Sequence, residues 1–157
     1  MRVLVLCYGN SCRSPMAEAL MRDLAEKQGV PIQVSSAGIT NGLGRAHEYS
    51  IQAMQDYGLD IHRHRAREVT GGMVRAADLI LTLDRTVQEE LLQRFPEAEG
   101  KSHLMKAFAY GNGAEPDIRD PYPSHDLEVY RKCAVEIREA TEGVLNRLQN
   151  GHGRRDA

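Results

Sequence analysis

Apolar and polar residues alternate along the chain in short blocks, each the length of one strand or one helix. Arg2-Val-Leu-Val-Leu6 is β-branched and apolar throughout, as expected of a strand buried on both faces. Met16, Leu20 and Leu24 then recur at helical spacing, which predicts a helix from Pro15 to Gln28 with Gly29 as its stop. Pro31-Ile-Gln-Val-Ser35 reads as a second strand. Ile51 and Met54 share one side of a helix expected over His47 to Tyr57 and closed by Gly58. A helix over Thr70 to Ala77, opened by Gly71-Gly72, leads to a third strand, Asp78-Leu-Ile-Leu-Thr82. Asp84 is placed to cap a helix running through Leu92 to Phe95, and Lys101 to Leu104 is expected as a fourth strand. Ala109 to Ser124, rich in Gly, Pro and Asp, reads as a long loop of the kind that usually carries function. The longest stripe belongs to a helix over Leu127 to Leu148: Leu127, Tyr130, Ala134, Ile137, Thr141, Val144 and Leu148.

Strands that alternate with helices predict an α/β fold with a parallel sheet covered on both faces. Right-handed crossovers put the C-terminal end of every strand on one edge, and ligands bind at that edge. There is no internal repeat and no composition break, so residues 1–149 are expected to form a single domain, followed by a disordered tail over 150–157. A chain of 157 residues can bury a substantial core. The net charge of -2 offers no electrostatic footprint for nucleic acid, and no polybasic helix suggests attachment to a membrane. Leu4-Val-Leu6 is too short for the apolar part of a signal peptide. The 3 cysteines, an odd number, argue against a disulfide scaffold and for a reducing cytoplasm.

The segment between the first strand and the first helix concentrates the chemistry. Cys7-Tyr-Gly-Asn-Ser-Cys-Arg13 must turn tightly, and Ser14-Pro15 is a strong helix-start pair, a hydroxyl to cap free amides and a ring preset to helical φ. Successive N–H groups at such a turn can converge on an anion. Gly9 lets the backbone approach closely, and Asn10 tolerates a left-handed conformation. Arg13 offers a planar fork for phosphoryl oxygens, and Ser14 can hydrogen-bond the sulfur. These groups favour the thiolate of Cys7, the form that attacks. A thiol nucleophile beside an oxyanion cradle is the signature of a cysteine-dependent phosphatase. Such an enzyme needs a carboxylic acid that protonates the leaving group and later activates water. Asp120, in Asp117-Ile-Arg-Asp120-Pro121-Tyr122, is the candidate, with Asp117 as its competitor and Tyr122 as an aromatic wall.

At this point the chain resembles the low molecular weight protein-tyrosine phosphatases. The resemblance rests on Val5-Leu-Cys-Tyr-Gly-Asn-Ser-Cys-Arg-Ser-Pro-Met-Ala-Glu18, Ser35-Ser-Ala-Gly38, His64-Arg-Ala-Arg67, Ala77 to Asp84 and Asp120-Pro-Tyr122, and it spans about residues 1 to 148. It implies a three-layer α/β/α architecture with a four-stranded parallel sheet and an anion-binding loop after the first strand. It implies hydrolysis of phosphotyrosine through phosphocysteine, without metal or cofactor. By matching position, Cys7 is the nucleophile, Arg13 the phosphate clamp and Asp120 the general acid. Tyr8, Gly9, Asn10, Ser11, Cys12 and Ser14 form the phosphate-binding loop, with Tyr122 beside the substrate. Asn10 and Ser14 also join Ser36 and His64 in the network that shapes the loop. Cys12 matches the second loop cysteine of the family, which can trap the nucleophile as a disulfide under oxidant. Cys133 lies on the apolar stripe of the last helix and reads as structural. His62 and His64 lack the further ligands of a metal site. The expected partner is a phosphorylated protein, with no nucleic acid or membrane, and the expected state is a monomer or weak homodimer.

Some positions depart from the phosphotyrosine pattern. Ser11 stands where Ile or Leu is usual, Leu43 near where an aromatic is common, and Pro123 in place of a second aromatic. A small polar residue at 11, together with Asp117-Ile-Arg-Asp-Pro-Tyr122, Tyr130 and Glu136-Ile137, resembles the protein-arginine phosphatase branch, which remains an alternative. Thiol-linked arsenate reductase, whose loop also carries Gly-Asn-Ser-Cys-Arg-Ser, is a third. That chemistry needs a further cysteine pair after the third strand, and Thr82 to Tyr110 contains no cysteine.

Overall fold

The computed structural model describes residues 1–113 and 115–155, with side chains through residue 151. The chain begins with β1 (Arg2–Cys7), then α1 (Arg13–Gln28), β2 (Gln33–Gly38), α2 (Glu48–Gln55), α3 (Gly71–Ala76) and β3 (Leu79–Thr82). α4 (Arg85–Arg94), a 3-10 turn (Pro96–Lys101), β4 (Ser102–Leu104), α5 (Met105–Tyr110) and α6 (Leu127–Arg155) follow. The strands form one parallel sheet of 4 in the order β2-β1-β3-β4. β1 lies inside it, which is why its residues from Val3 to Cys7 are all buried and its sequence is continuously apolar.

Alternation along β1 divides the core. Val3, Val5 and Cys7 face a layer that includes Met16, Leu20 and Leu24 of α1 and Ile137 and Val144 of α6. Leu4 and Leu6 face the opposite layer, with Val74 of α3 and Val87 and Leu91 of α4. The register sets Cys7 beside Gly38 and Leu6 beside Thr82, so three strands end together at one edge.

Local chemistry explains most boundaries. Gly29 takes φ 68° and its N–H bonds the carbonyls of Ala25 and Glu26, a left-handed stop to α1. Thr70 caps α3 and Asp84 caps α4 through side-chain oxygens. His47 caps α2 from outside, so that helix is shorter at both ends than the expected His47 to Tyr57. β2 lies later than Pro31 to Ser35, because its pairing begins where the Gln33 N–H meets the Met1 carbonyl at 2.9 Å.

Other differences are larger. α1 starts at Arg13, two residues before Pro15, so Ser14 sits inside the first turn and is not its cap. α5 was not expected; its buried Met105 and Phe108 are an i, i+3 pair too short to register as a periodic pattern. α6 continues past Leu148 to Arg155. Residues 156 and 157, the end of the tail expected to be disordered, lie outside the described residues. Among the described residues no helix is long and apolar enough to cross a membrane.

Candidate active site

Between Cys7 and Arg13 the backbone folds back on itself because Asn10 adopts φ 54°, a left-handed conformation that Asn tolerates. The turn carries the Asn10 N–H to 3.2 Å from Cys7 Sγ. Ser14, freed from capping, places its Oγ 2.9 Å from the same sulfur. Among the described residues the N–H groups of Gly9, Ser11 and Cys12 have no acceptor within the chain. Gly38 makes this packing possible, since a Cβ there would meet the Thr40 carbonyl and lie 2.8 Å from the Asn10 nitrogen.

Asn10 is fully buried and its polar groups are all engaged. Its Nδ2 donates to Ser14 Oγ at 2.8 Å and Ser36 Oγ at 3.0 Å. Its Oδ1 accepts the Arg67 N–H at 3.0 Å, and its carbonyl lies 2.8 Å from His64 Nε2. Ser36 in turn donates to Glu18 Oε1 at 2.5 Å. This orders protons as well as atoms. Ser14 Oγ accepts from Asn10, so its own hydrogen is free for another acceptor. Cys7 Sγ at 2.9 Å is nearer than the Ala37 carbonyl at 3.5 Å. The hydroxyl therefore points at the sulfur, an arrangement that suits a thiolate.

Arg13 is only 2% exposed. Its Nη1 donates to Asp84 Oδ2 at 2.6 Å and to the Ile118 carbonyl at 2.7 Å. Its Nε has no partner among the described residues, and Nη2 lies 3.7 Å from Asp120 Oδ2. Burial disfavours the guanidinium charge, but Cys7, Asp120 and Asp84 outweigh that cost and raise its pKa. The Ile118 N–H also donates to the Leu83 carbonyl at 2.8 Å. One residue thus ties the loop that carries Asp120 both to the sheet edge and to Arg13.

Asp120 lines the cleft above Cys7, and its Oδ1 accepts the Tyr122 N–H at 3.1 Å. Asp117, its competitor in the sequence, is turned away. It pairs with Arg85 at 3.1 Å, which holds its pKa below the usual carboxylate range against the effect of burial. The cleft has a volume of about 280 Å³, and Tyr8, Leu43 and Tyr122 stand half-exposed around it. Ser11 is 5% exposed on its wall. Its hydroxyl donates to the Gly9 carbonyl at 3.3 Å and accepts the Leu43 N–H at 3.1 Å. Cys12 also lines the cleft, but burial, reinforced by Asp120 and Cys7, pushes its thiol up to about 12. Burial does the same to Cys133, also to about 12, below the acid loop where it faces the Arg119 carbonyl. All 3 cysteines are free. His62 pairs with Asp60 at 2.6 Å and does not join His64.

The sequence-selected residues thus meet at one strand edge: the Cys7–Ser14 loop, Asp120 and Tyr122 around the cleft, Ser36 and His64 behind the loop. Sequence reasoning missed Asp84, Ile118, Glu18 and Arg67 as parts of this site. Asp84 was visible as a helix cap, which hid its second oxygen's bond to Arg13.

The fold and site define a three-layer α/β protein whose thiol sits in an anion-binding turn, facing a carboxylate. The family of low molecular weight phosphotyrosine protein phosphatases matches residues 2–153. A probable low molecular weight protein-tyrosine-phosphatase EpsP from Ralstonia nicotianae is 41% identical over 149 residues, covering 94% of this chain and 95% of the relative. The protein-arginine-phosphatase of Bacillus subtilis is 27% identical over 150 residues, covering 95% and 97%. The crystal structure of a low molecular weight protein tyrosine phosphatase from T. tengcongensis superposes with a TM-score of 0.86 at 33% identity, covering 94% of this chain and 99% of that one. The chain belongs to the low molecular weight phosphotyrosine protein phosphatase family.

Proposed function

We propose that this protein hydrolyses phosphotyrosine in protein substrates through a phosphocysteine intermediate on Cys7. The observation that carries the reading is the convergence on one sulfur of the Asn10 N–H at 3.2 Å and the Ser14 hydroxyl at 2.9 Å, with Arg13 buried beside it. In the first step Cys7 Sγ attacks phosphorus, the S–P bond forms, and the P–O bond to the phenol breaks. Asp120, protonated, gives its hydrogen to the departing oxygen. In the second step water attacks phosphorus while the Asp120 carboxylate takes its proton. The S–P bond breaks, inorganic phosphate leaves and the thiolate returns. Arg13 Nε and Nη2 face the phosphoryl oxygens throughout, and the amides of Gly9, Ser11 and Cys12 complete the cradle. Neither step calls for a metal or cofactor. Tyr8, Leu43 and Tyr122 are placed to flank a phenol ring. A reducing cytoplasm is the compartment that keeps such a thiol active.

Ser11 favours a second reading, protein-arginine phosphatase. A hydroxyl on the cleft wall keeps one lone pair after its bonds to Gly9 and Leu43, and a guanidinium could donate to it. The test is a side-by-side rate measurement on phosphotyrosyl and phosphoarginyl peptides with wild type, Ser11→Ile and Cys7→Ser. Cys7→Ser is expected to abolish turnover while still binding phosphate; retained turnover would overturn the mechanism. Faster turnover of phosphoarginine, reduced by Ser11→Ile, would select the second reading.

A further inference from the structure

The segment beside the cleft carries more positive charge than the protein itself pairs. Arg45 and Arg65 sit opposite each other in an isolated antiparallel bridge, and both are exposed. Like charges in directly opposed positions repel. Arg63 lies exposed in the turn that leads to them, where the His64 N–H bonds the Ile61 carbonyl. Two neighbouring carboxylates are already paired, Asp56 with Arg131 at 3.0 Å and Glu68 with Arg94 at 3.8 Å, while Asp60, bonded to His62 at 2.6 Å, offsets part of the Arg63 charge from a distance. Glu48 occupies the first turn of α2. Among the described residues none of Arg45, Arg63 and Arg65 forms a salt bridge. A chain of net charge -2 has no general surplus of cations, so this strip is a local feature.

Its position gives it a partner. The Ala66 N–H bonds the Gly44 carbonyl at 3.2 Å, which joins the strip to the 40–44 loop, and Leu43 in that loop forms a wall of the cleft. His64, between Arg63 and Arg65, contacts the Asn10 carbonyl from behind. A peptide whose phosphoresidue enters the cleft must leave it across one of its rims, and this rim is cationic.

We infer that Arg45, Arg63 and Arg65 form a docking strip for anionic side chains that flank the phosphoresidue of the substrate, either carboxylates or a second phosphate. The inference rests on the phosphatase reading above and names the substrate class that this site prefers. Exposed ion pairs are individually weak, but two or three acting together, with attraction during encounter, shift selectivity several-fold.

The experiment compares kcat/KM for peptides of equal length carrying one phosphotyrosine and neutral, acidic or doubly phosphorylated flanks. Acidic flanks are expected to raise kcat/KM about fivefold at low salt, with the advantage fading toward onefold at about 0.5 M NaCl. The variant Arg45→Glu/Arg65→Glu should lose that advantage or invert it, and Arg45→Gln/Arg65→Gln should lose it without inversion. Hydrolysis of p-nitrophenyl phosphate, too small to reach the strip, reports separately on the chemistry and on folding. If wild type does not hydrolyse it, the phosphatase reading fails. If it does, and every flank gives the same kcat/KM at low salt, the docking strip alone is overturned. A gain only from the second phosphate supports the strip and assigns it to multiply phosphorylated segments.

Discussion

The Asp84 carboxylate holds α4 and Arg13 at the same time: Oδ1 accepts the Val87 N–H at 2.8 Å, and Oδ2 accepts from Arg13 Nη1 at 2.6 Å. The first bond fixes the carboxylate, and the fixed carboxylate then sets the plane of the guanidinium. With Nη1 committed to Asp84 and Ile118, Nε is left without a partner and Nη2 lies 3.7 Å from Asp120, and the residue lines the cleft.

Asp84→Asn tests this arrangement. Asn keeps an oxygen for the cap but removes the charge beside a guanidinium only 2% exposed. Breaking a buried pair costs roughly 3–5 kcal/mol when the remaining charge is left alone. Cys7 and Asp120 still offset the Arg13 charge, so a loss at or below the lower end, about 3 kcal/mol or less, is expected. Thermal unfolding should show it, and inorganic phosphate should inhibit the variant more weakly. Unchanged stability and phosphate inhibition together would refute the positioning role.

Asp120→Asn should separate leaving groups. A positioned general acid contributes roughly 10²–10⁴-fold where the leaving oxygen needs a proton. The kcat/KM of aryl phosphates with poor leaving groups, which reports the first step alone, should fall by that order, while that of a nitrophenyl ester falls far less. A plot of log kcat/KM against leaving-group pKa should therefore steepen in the variant. Parallel lines would rule Asp120 out as the acid and reopen the question for Asp117, despite its bond to Arg85.

The thiols should react unequally. At neutral pH Cys12 and Cys133 are held as thiols, with pKa values near 12, and only a thiolate reacts quickly with an alkylating agent. Brief treatment with iodoacetamide should label Cys7 alone, by peptide mass analysis, and phosphate should protect it. Labelling of Cys12 or Cys133 at a comparable rate would contradict the environments assigned to them.

The parts of the site that spacing alone makes legible lie close together in sequence, whereas Asp120 is found through the need for an acid and Ser36 and His64 through the family resemblance. Cys7, Asn10, Arg13 and Ser14 fall within one turn of backbone, and their spacing alone states a geometry. Contacts such as Arg13 to Asp84 and Arg13 to the Ile118 carbonyl span |i−j| of 71 and 105, and no local pattern encodes them. Ser14 shows how one residue can suggest two tasks, a helix cap and a bond to the sulfur, of which the structure keeps only the second. Its hydroxyl before Pro15 looks like a helix cap, yet α1 opens at Arg13 and the hydroxyl turns to the sulfur. Ser11 was read as a contact for the substrate, and the structure adds a second task, bonding Leu43 across the cleft wall. β1 and β3 were legible because burial on both faces demands unbroken apolar runs, whereas β2 and β4, which carry polar residues, were less sharply bounded. α5 was not legible, because six residues after a strand are too few for a helical period to declare itself.

His47 predicts how stability depends on pH. Its Nδ1 accepts the Tyr49 N–H at 3.0 Å, so the neutral ring carries its hydrogen on Nε2. The ring stacks on Tyr130 at 4.8 Å and meets Tyr122 edge-on at 6.0 Å, which links the cap of α2 to an aromatic wall of the cleft. Burial lowers its pKa, Arg45 and His125 lower it further, and Glu48 opposes them. The unfolded chain takes up a proton near the ordinary value of about 6.5, whereas the folded ring resists it. Stability is therefore unaffected well above that value, falls as the pH drops through it, and levels off below the folded-state pKa. Protonation would also place an N–H of the ring against the Tyr49 N–H and remove the cap. Asn caps helices well without titrating, so His47→Asn should keep α2 and give a shallower loss of stability between about pH 7 and pH 5. His103, lowered by burial and by Arg147, supplies part of the slope that remains. Chemical denaturation at a series of pH values measures both slopes, and identical slopes would show that His47 does not titrate on unfolding.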